Sequence, residues 1–299
     1  MKPPPFEYHA PTTVEEALTH LAEYGYDAKV LAGGQSLIPT MNFRLAQPAV
    51  LVDLNTVSEL FYIRPDENGG LRIGTMTRQS QVERDALVAG RAPLIHETIP
   101  HIAHPQIRNR GTFGGNIAHN DPASELPAVT LALNARFRLQ SQAGERWVSA
   151  GEFFLGLFYT ALEPDELLVE VALPAMPPRS GWAFREMARR PGDYALVGVA
   201  AVVTLDDQDQ CQQAQLVFFS VGEGPLVAHQ AVETLKGETS TPEVIRAAAE
   251  TAANADIDPG SDVHASAEFR RHLAKVLARQ ALTQAFERAT SLSDSRPSR

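Results

Sequence analysis

The chain of 299 residues has a single cysteine, Cys211. One thiol cannot close an intramolecular disulfide or build a cysteine-ligated zinc or iron–sulfur centre. A secreted disulfide scaffold is thereby excluded. Lysine is also scarce: Lys2, Lys29, Lys236 and Lys275 are the only ones, and none follows a glycine-rich loop. The lysine-dependent phosphate loop of nucleotide hydrolases is therefore absent. Positive charge is in deficit, with 26 Lys plus Arg against 36 Asp plus Glu and a net charge of −10. Such a chain is a poor binder of nucleic acid or of an anionic membrane surface. No apolar run approaches the ~18 residues of a membrane span. Residues 1–11 carry Pro3, Pro4, Pro5 and Pro11 where a secretory signal has an apolar core. A cytoplasmic protein with no membrane span and no nucleic-acid partner is expected.

What is present is an apolar fraction of 44%, ample for a core, and a length that suits about two domains. Thr13 and Glu16 have capping-box spacing ahead of Val14, Ala17, Leu18, Leu21 and Ala22 at the helical period, and Gly25 supplies a stop. Strands are expected at 29–32 and 50–54, joined by an irregular connector, so residues 6–55 read as a βαβ-like unit. Further strands are expected at 71–75, 136–140, 146–149 and 167–173. Helices are expected at 78–89 and 92–103, and from Asp121 to Leu133 with Pro122 in the first turn. Three prolines and a glycine in residues 174–181 mark a linker. Beyond it lie expected strands at 182–187, 196–205 and 215–221. Helices follow at about 225–236, 242–254 and 266–289, the last with Phe269, Leu273, Val276, Leu277 and Ala281 on one face. Strands followed by segregated helices indicate an α+β domain.

Two glycine-rich stretches carry the chemistry. In Leu31-Ala-Gly-Gly-Gln-Ser-Leu-Ile-Pro39, paired glycines after a strand permit positive φ and let backbone N–H groups converge on an anion. Gln35 and Ser36 can add side-chain donors. A tight turn leaving a buried strand explains the same residues. In Arg108-Asn-Arg-Gly-Thr-Phe-Gly-Gly-Asn-Ile-Ala118, a second Gly-Gly is flanked by Thr112 and Asn116, with Arg108 and Arg110 adding positive charge. Asp121 would repel a phosphate and so suits a hydroxyl-bearing part of a ligand. It also suits a helix cap, and both readings can hold. Two such cradles can clasp the pyrophosphate of a dinucleotide from opposite sides.

Other candidates are weaker. Gly222-Glu-Gly224 after a strand begins like a Rossmann fingerprint, but Val227 occupies the third glycine position. His96, His101, His104 and His119 lie near the second stretch without a metal-ligand spacing. Ser36 lacks the Gly-x-Ser-x-Gly nucleophile elbow.

The run Ala32-Gly-Gly-Gln-Ser-Leu-Ile-Pro-Thr-Met-Asn42, followed by Arg44, resembles the first FAD loop of the medium, flavin-binding subunits of molybdenum hydroxylases. Gln106-Ile-Arg-Asn-Arg-Gly-Thr-Phe-Gly-Gly-Asn-Ile-Ala-His-Asn-Asp-Pro-Ala-Ser-Glu-Leu-Pro127 resembles their second. Within the xanthine dehydrogenase family, the similarity is to the carbon monoxide dehydrogenase medium-subunit type, and it covers most of residues 4–287. The resemblance implies an α+β fold: a vanillyl-alcohol-oxidase/PCMH-type FAD-binding domain over 1–176, with subdomains of about 1–57 and 58–176. A C-terminal α+β domain with a three-stranded sheet and helices follows over 177–289, and residues 290–299 are expected to be a disordered tail. It implies that Ala32, Gly33, Gly34, Gln35 and Ser36 line the pyrophosphate, that Leu37 is a further cofactor-binding residue, and that Thr112, Gly114, Gly115, Asn116 and Asp121 make a second set of FAD contacts. Leu168 matches a position against the flavin or adenine. Arg185 stands where relatives often have lysine. Tyr194 matches an aromatic position near the isoalloxazine that can gate one flavin face.

By the same resemblance, the molybdopterin cofactor and the 2Fe–2S clusters lie on a large and a small partner subunit, in a dimer of heterotrimers. The chain would be an oxidoreductase subunit passing electrons from those clusters through FAD to an external acceptor. Two alternatives stand beside it: a stand-alone FAD-dependent oxidoreductase of the same fold, and a non-catalytic dinucleotide-binding module.

Overall fold

In the computed structural model, which describes residues 2–294, the first lobe is built from β1 (Glu7–His9), α1 (Val14–Tyr24), β2 (Ala28–Leu31), α2 (Leu37–Asn42) and β3 (Val50–Asp53). Thr13 caps α1, its hydroxyl accepting from the Glu16 N–H at 3.2 Å. The Glu16 carboxylate does not complete a capping box. It accepts instead from the N–H and hydroxyl of Thr12, at 2.7 and 3.0 Å. The three strands are parallel in the order β1-β3-β2, and all four residues of β3 are buried, as a central strand covered on both faces requires. The connector expected to be irregular contains α2, a six-residue helix whose Pro39 hides the helical pattern.

The second lobe carries a five-stranded antiparallel sheet of β4 (Ile63–Pro65), β5 (Leu71–Gly74), β6 (Arg136–Ser141), β7 (Gly144–Ser149) and β10 (Leu167–Leu173), in the order β4-β5-β10-β6-β7. A small hairpin, β8 (Phe154–Gly156) and β9 (Tyr159–Thr160), stands apart from it. The helices are α3 (Gln79–Val82), α4 (Ala86–Arg91), α5 (Pro93–Thr98), α6 (Pro105–Arg108), α7 (Phe113–His119), α8 (Glu125–Ala132) and α9 (Ala150–Phe153). The two helices expected over 78–89 and 92–103 are thus broken into shorter ones. Asp85 interrupts the first by accepting from the N–H groups of Leu87 and Val88, which starts a new helix. The helix expected from Asp121 begins at Glu125. The Asp121 carboxylate accepts from the Ala123 N–H at 2.9 Å and closes a turn that holds Pro122 outside the helix.

The third unit is an antiparallel meander of β11 (Ser180–Ala188), β12 (Ala195–Leu205) and β13 (Cys211–Phe219) with a two-residue edge strand, β14 (Leu226–Val227). Helices α10 (His229–Leu235), α11 (Pro242–Thr251) and α12 (Ala267–Asp294) follow. Alternation along β11 and β12 sends Phe184 and Ala200 toward the second lobe, and Ala183, Val199 and Ala201 toward the helices. Leu273, Leu277 and Ala281 of α12 are buried there, but Phe269, expected with them, is exposed. Residues 290–294, expected to open the tail, continue α12. The remainder of that tail, 295–299, lies outside the described residues. Among the described residues, no helix is long and apolar enough to cross a membrane.

Candidate functional site

The first glycine stretch leaves the C-terminal end of β2 and runs into α2. Gly34 has φ +70°, a conformation that favours glycine. The Gln35 side chain donates to the Gly33 carbonyl at 3.0 Å, which fixes the turn. Among the described residues, the N–H groups of Gly33, Gly34, Gln35, Ser36 and Leu37 donate to no other group of the protein. Ser36 sits at the cap of α2 without using its hydroxyl there. Five consecutive unengaged donors at the head of a helix are a nest for an anion.

The second stretch is not the backbone cradle that its glycines suggest. It is the first turn of α7, capped by Thr112, whose hydroxyl accepts from the Gly115 N–H at 3.1 Å. The N–H groups of Phe113, Gly114 and Asn116 go to the carbonyls of Thr77, Thr75 and Thr112. Its glycines serve close packing. A Cβ on Gly114 would lie 2.3 Å from the Thr75 Cβ, and one on Gly115 would lie 3.1 Å from the Ala32 Cβ. Gly33 returns the contact, since a Cβ there would fall 2.5 Å from the Arg110 carbonyl oxygen. The two stretches, about 80 residues apart, therefore meet backbone to backbone. Arg108, expected to contribute charge, is instead committed to Glu83 at 2.9 Å and to the carbonyl of Ile102 at 2.9 Å.

A link that the sequence did not signal ties this junction. Asn55 donates to the Ala32 carbonyl at 2.9 Å, and Arg78 donates both to the Asn55 side chain and to the Arg110 carbonyl. One guanidinium thus holds the two stretches together. Burial lowers its pKa, with the nearby Arg110 adding to the effect.

Side chains of the second stretch line the adjoining surface. Asn116 donates to the Ser124 hydroxyl at 3.4 Å, and its Oδ1 is buried without a partner. Asp121 is half-buried. Tyr194, between β11 and β12, is 68% exposed. Partial desolvation and the carboxylates of Asp121 and Glu125 raise its pKa. Glu125 was not among the expected residues. It is the only charged side chain in α8, a helix that is otherwise apolar apart from Thr130, and that contrast was its one signal in the sequence. Burial, with Glu186 and Asp121 nearby, pushes its carboxyl up to about 8.

Below an ordinary carboxylate pKa, Glu125 is protonated in both the folded and unfolded chains and contributes no difference. Between there and about 8, the folded chain keeps a proton that the unfolded chain has released, so stability falls as pH rises. Glu125→Gln is expected to remove this slope. Melting curves should show the variant gaining on the wild type from pH 5 to pH 8, and parallel curves would contradict the assignment.

The remaining expected residues fall elsewhere. Leu168 is buried in the core of the second lobe, one residue before a bulge in β10. Arg185 lies along α12 with Arg279, Gln280 and Glu287. Alternation on β11 turns Glu186, not Arg185, toward the second lobe, where it accepts from the exposed His101 at 3.1 Å. Among the described residues, no cluster of His, Cys, Asp and Glu suits a metal ion.

Residues 4–176 match the family described as the FAD binding domain in molybdopterin dehydrogenase, and residues 182–285 match the CO dehydrogenase flavoprotein C-terminal domain. The chain is 41% identical to the 6-hydroxypseudooxynicotine dehydrogenase complex subunit alpha of Paenarthrobacter nicotinovorans, covering 99% of each chain. It is 40% identical to the carbon monoxide dehydrogenase medium chain of Hydrogenophaga pseudoflava, covering 96% of this chain and 99% of that one. A solved structure of carbon monoxide dehydrogenase from Hydrogenophaga pseudoflava, lacking the Mo-pyranopterin moiety of its cofactor, superposes with a TM-score of 0.92 at 39% identity, covering 96% of this chain and 99% of that one. These relatives are named as subunits or chains of larger enzymes.

Proposed function

The chain belongs to the FAD-binding medium subunits of the molybdenum hydroxylases, of the carbon monoxide dehydrogenase type, and we propose how its own residues hold and serve that cofactor. The observation that carries the proposal is the run of unengaged N–H groups from Gly33 to Leu37. They receive the FAD pyrophosphate, with the Ser36 hydroxyl as a further donor. Ala32 is backed by Gly115 of α7 and Gly33 by Arg110 and Gly111 just before that helix, and Gly114 acts through its packing on Thr75. Thr112, Gly115 and Asn116 border the same junction, and Asp121 lies past the far end of α7. The unpartnered Asn116 Oδ1, and farther along the Asp121 carboxylate, would accept from hydroxyl or N–H groups of the ligand. The bound cofactor stores two electrons and exchanges them singly or in pairs. The protein's share is to bind it, orient it and limit access.

Tyr194 stands at the open side and screens the flavin face. Tyr194→Ala is expected to change the rate of flavin reoxidation severalfold while leaving FAD content intact. Equal rates with every acceptor tried would exclude the screening role.

Cys211 is the one cysteine, too few to ligate an iron–sulfur cluster, and burial pushes its thiol up to about 11. Electrons must then enter from outside the chain. We assign the donors to a small subunit with 2Fe–2S clusters, fed by a large molybdopterin-binding subunit, in a dimer of heterotrimers. We assign 1–176 to the FAD-binding domain and the residues from 177, with α12 running on through Asp294, to the C-terminal domain. Purification of the tagged chain from its native cell tests this. Two further chains should copurify with molybdenum and iron. A flavin-bearing chain that is reduced by an organic substrate without partners would contradict it.

A further inference from the structure

We propose that the β8–β9 hairpin is the surface on which the iron–sulfur-carrying subunit docks; this rests on the function proposed above. Leu155, Leu157, Phe158 and Tyr159 are 53, 55, 54 and 63% exposed. Residues 153–162 contain no charged side chain, in a chain that is 21% charged. Aromatic-rich, charge-poor surface is the composition of an interface core. Four large side chains at this exposure offer roughly 400 Å² of apolar area, a patch size that is often functional, and about half of what each partner buries in a standard interface.

The backbone gives a second, independent reason. Phe158 has φ +54°, a left-handed conformation that a bulky residue rarely adopts and that persists only when its surroundings impose it. Asn120 imposes it. This fully buried residue, itself left-handed at φ +47°, donates to the carbonyls of Gly156 and Tyr159 at 2.7 and 3.0 Å. Its own carbonyl accepts from the Phe158 N–H at 3.3 Å. A strained turn held by three hydrogen bonds to present apolar side chains to solvent is costly for stability and suited to recognition.

Position selects the occupant. Asn120 ends α7, and the other end of α7 is the Thr112 turn at the FAD junction. Seven residues of helix span about 10 Å. The first stretch repeats the arrangement: α2 begins at the unengaged N–H groups and is followed by Phe43 and Leu45, which are 69 and 81% exposed. Electron exchange falls off exponentially with distance. The partner that must come closest to the flavin is therefore its electron donor, and the substrate-binding subunit has no such constraint.

The test uses the intact complex, with a photoreactive phenylalanine analogue placed at Leu157 or Tyr159 in turn. Cross-links to the iron–sulfur subunit are expected. Cross-links only to the large subunit or to a second copy of this chain, or none at all, would overturn the proposal. In a second variant, Phe158→Asp, the complex should retain at least tenfold less iron–sulfur subunit per mole of this chain, at unchanged flavin content. Retention equal to wild type would also overturn it. The two proposals fail differently: a wild-type complex without flavin or iron defeats the proposed function, whereas an intact complex that cross-links elsewhere defeats only the docking surface.

Discussion

Gly33→Val is expected to strip the chain of FAD while its C-terminal domain stays folded. The added Cβ would lie 2.5 Å from the Arg110 carbonyl oxygen and 2.7 Å from the Gly111 Cα. Both are backbone, and neither is free to move. The Arg110 and Gly111 N–H groups donate to the Ile107 carbonyl at 3.0 and 2.7 Å, and Arg78 holds the Arg110 carbonyl. The first stretch must therefore lift away, and with it the five N–H groups proposed to receive the pyrophosphate. Losing two or so of those bonds corresponds to about 3 kcal/mol, or roughly a hundredfold in Kd. Fluorescence titration of the apoprotein measures it. Gly90→Ala is the matched control: a Cβ there meets nothing within 4 Å, and flavin content should not change.

The second large effect concerns the other end of the molecule. A Cβ on Gly181 would stand 1.9 Å from the Ala285 carbonyl oxygen and 2.5 Å from the Ala289 nitrogen. Helix α12 crosses β11 at this point, and nothing flexible lies between them. Arg288 pins the same crossing by donating to the Trp182 carbonyl and to Glu97, both at 2.9 Å. Gly181→Val is expected to cost about 3 kcal/mol or more and to lower the melting temperature by roughly 10 °C, as read by calorimetry. A shift of only a degree or two would mean that the crossing is looser than this geometry allows.

The sequence announced some of this and hid the rest for identifiable reasons. Thr13 and Gly25 bounded α1 correctly because a helix end is a local event. Both glycine stretches were visible as positions of special backbone. Their division of labour was not, because Gly-Gly reads alike whether its N–H groups are free, as at Gly33 and Gly34, or committed, as at Gly114. Only the carbonyls of Thr75 and Thr77, delivered from another segment, decide the difference. The Arg78–Asn55–Ala32 link joins residues 23 apart to a third segment and has no local pattern. The exchange of Glu186 for Arg185 at the lobe-facing surface is a matter of strand register, which a period of two cannot fix without a partner strand.

The central claim is that this chain holds FAD on the free N–H groups of its first glycine stretch. It is tested most directly by the flavin content and thermal shift of the purified protein, wild type beside Gly33→Val. Equimolar FAD is expected in the wild type, with a melting temperature that rises when FAD is returned to the apoprotein, and neither property in the variant. A wild-type chain with no flavin and no response to added FAD, or a variant that retains both, would contradict it.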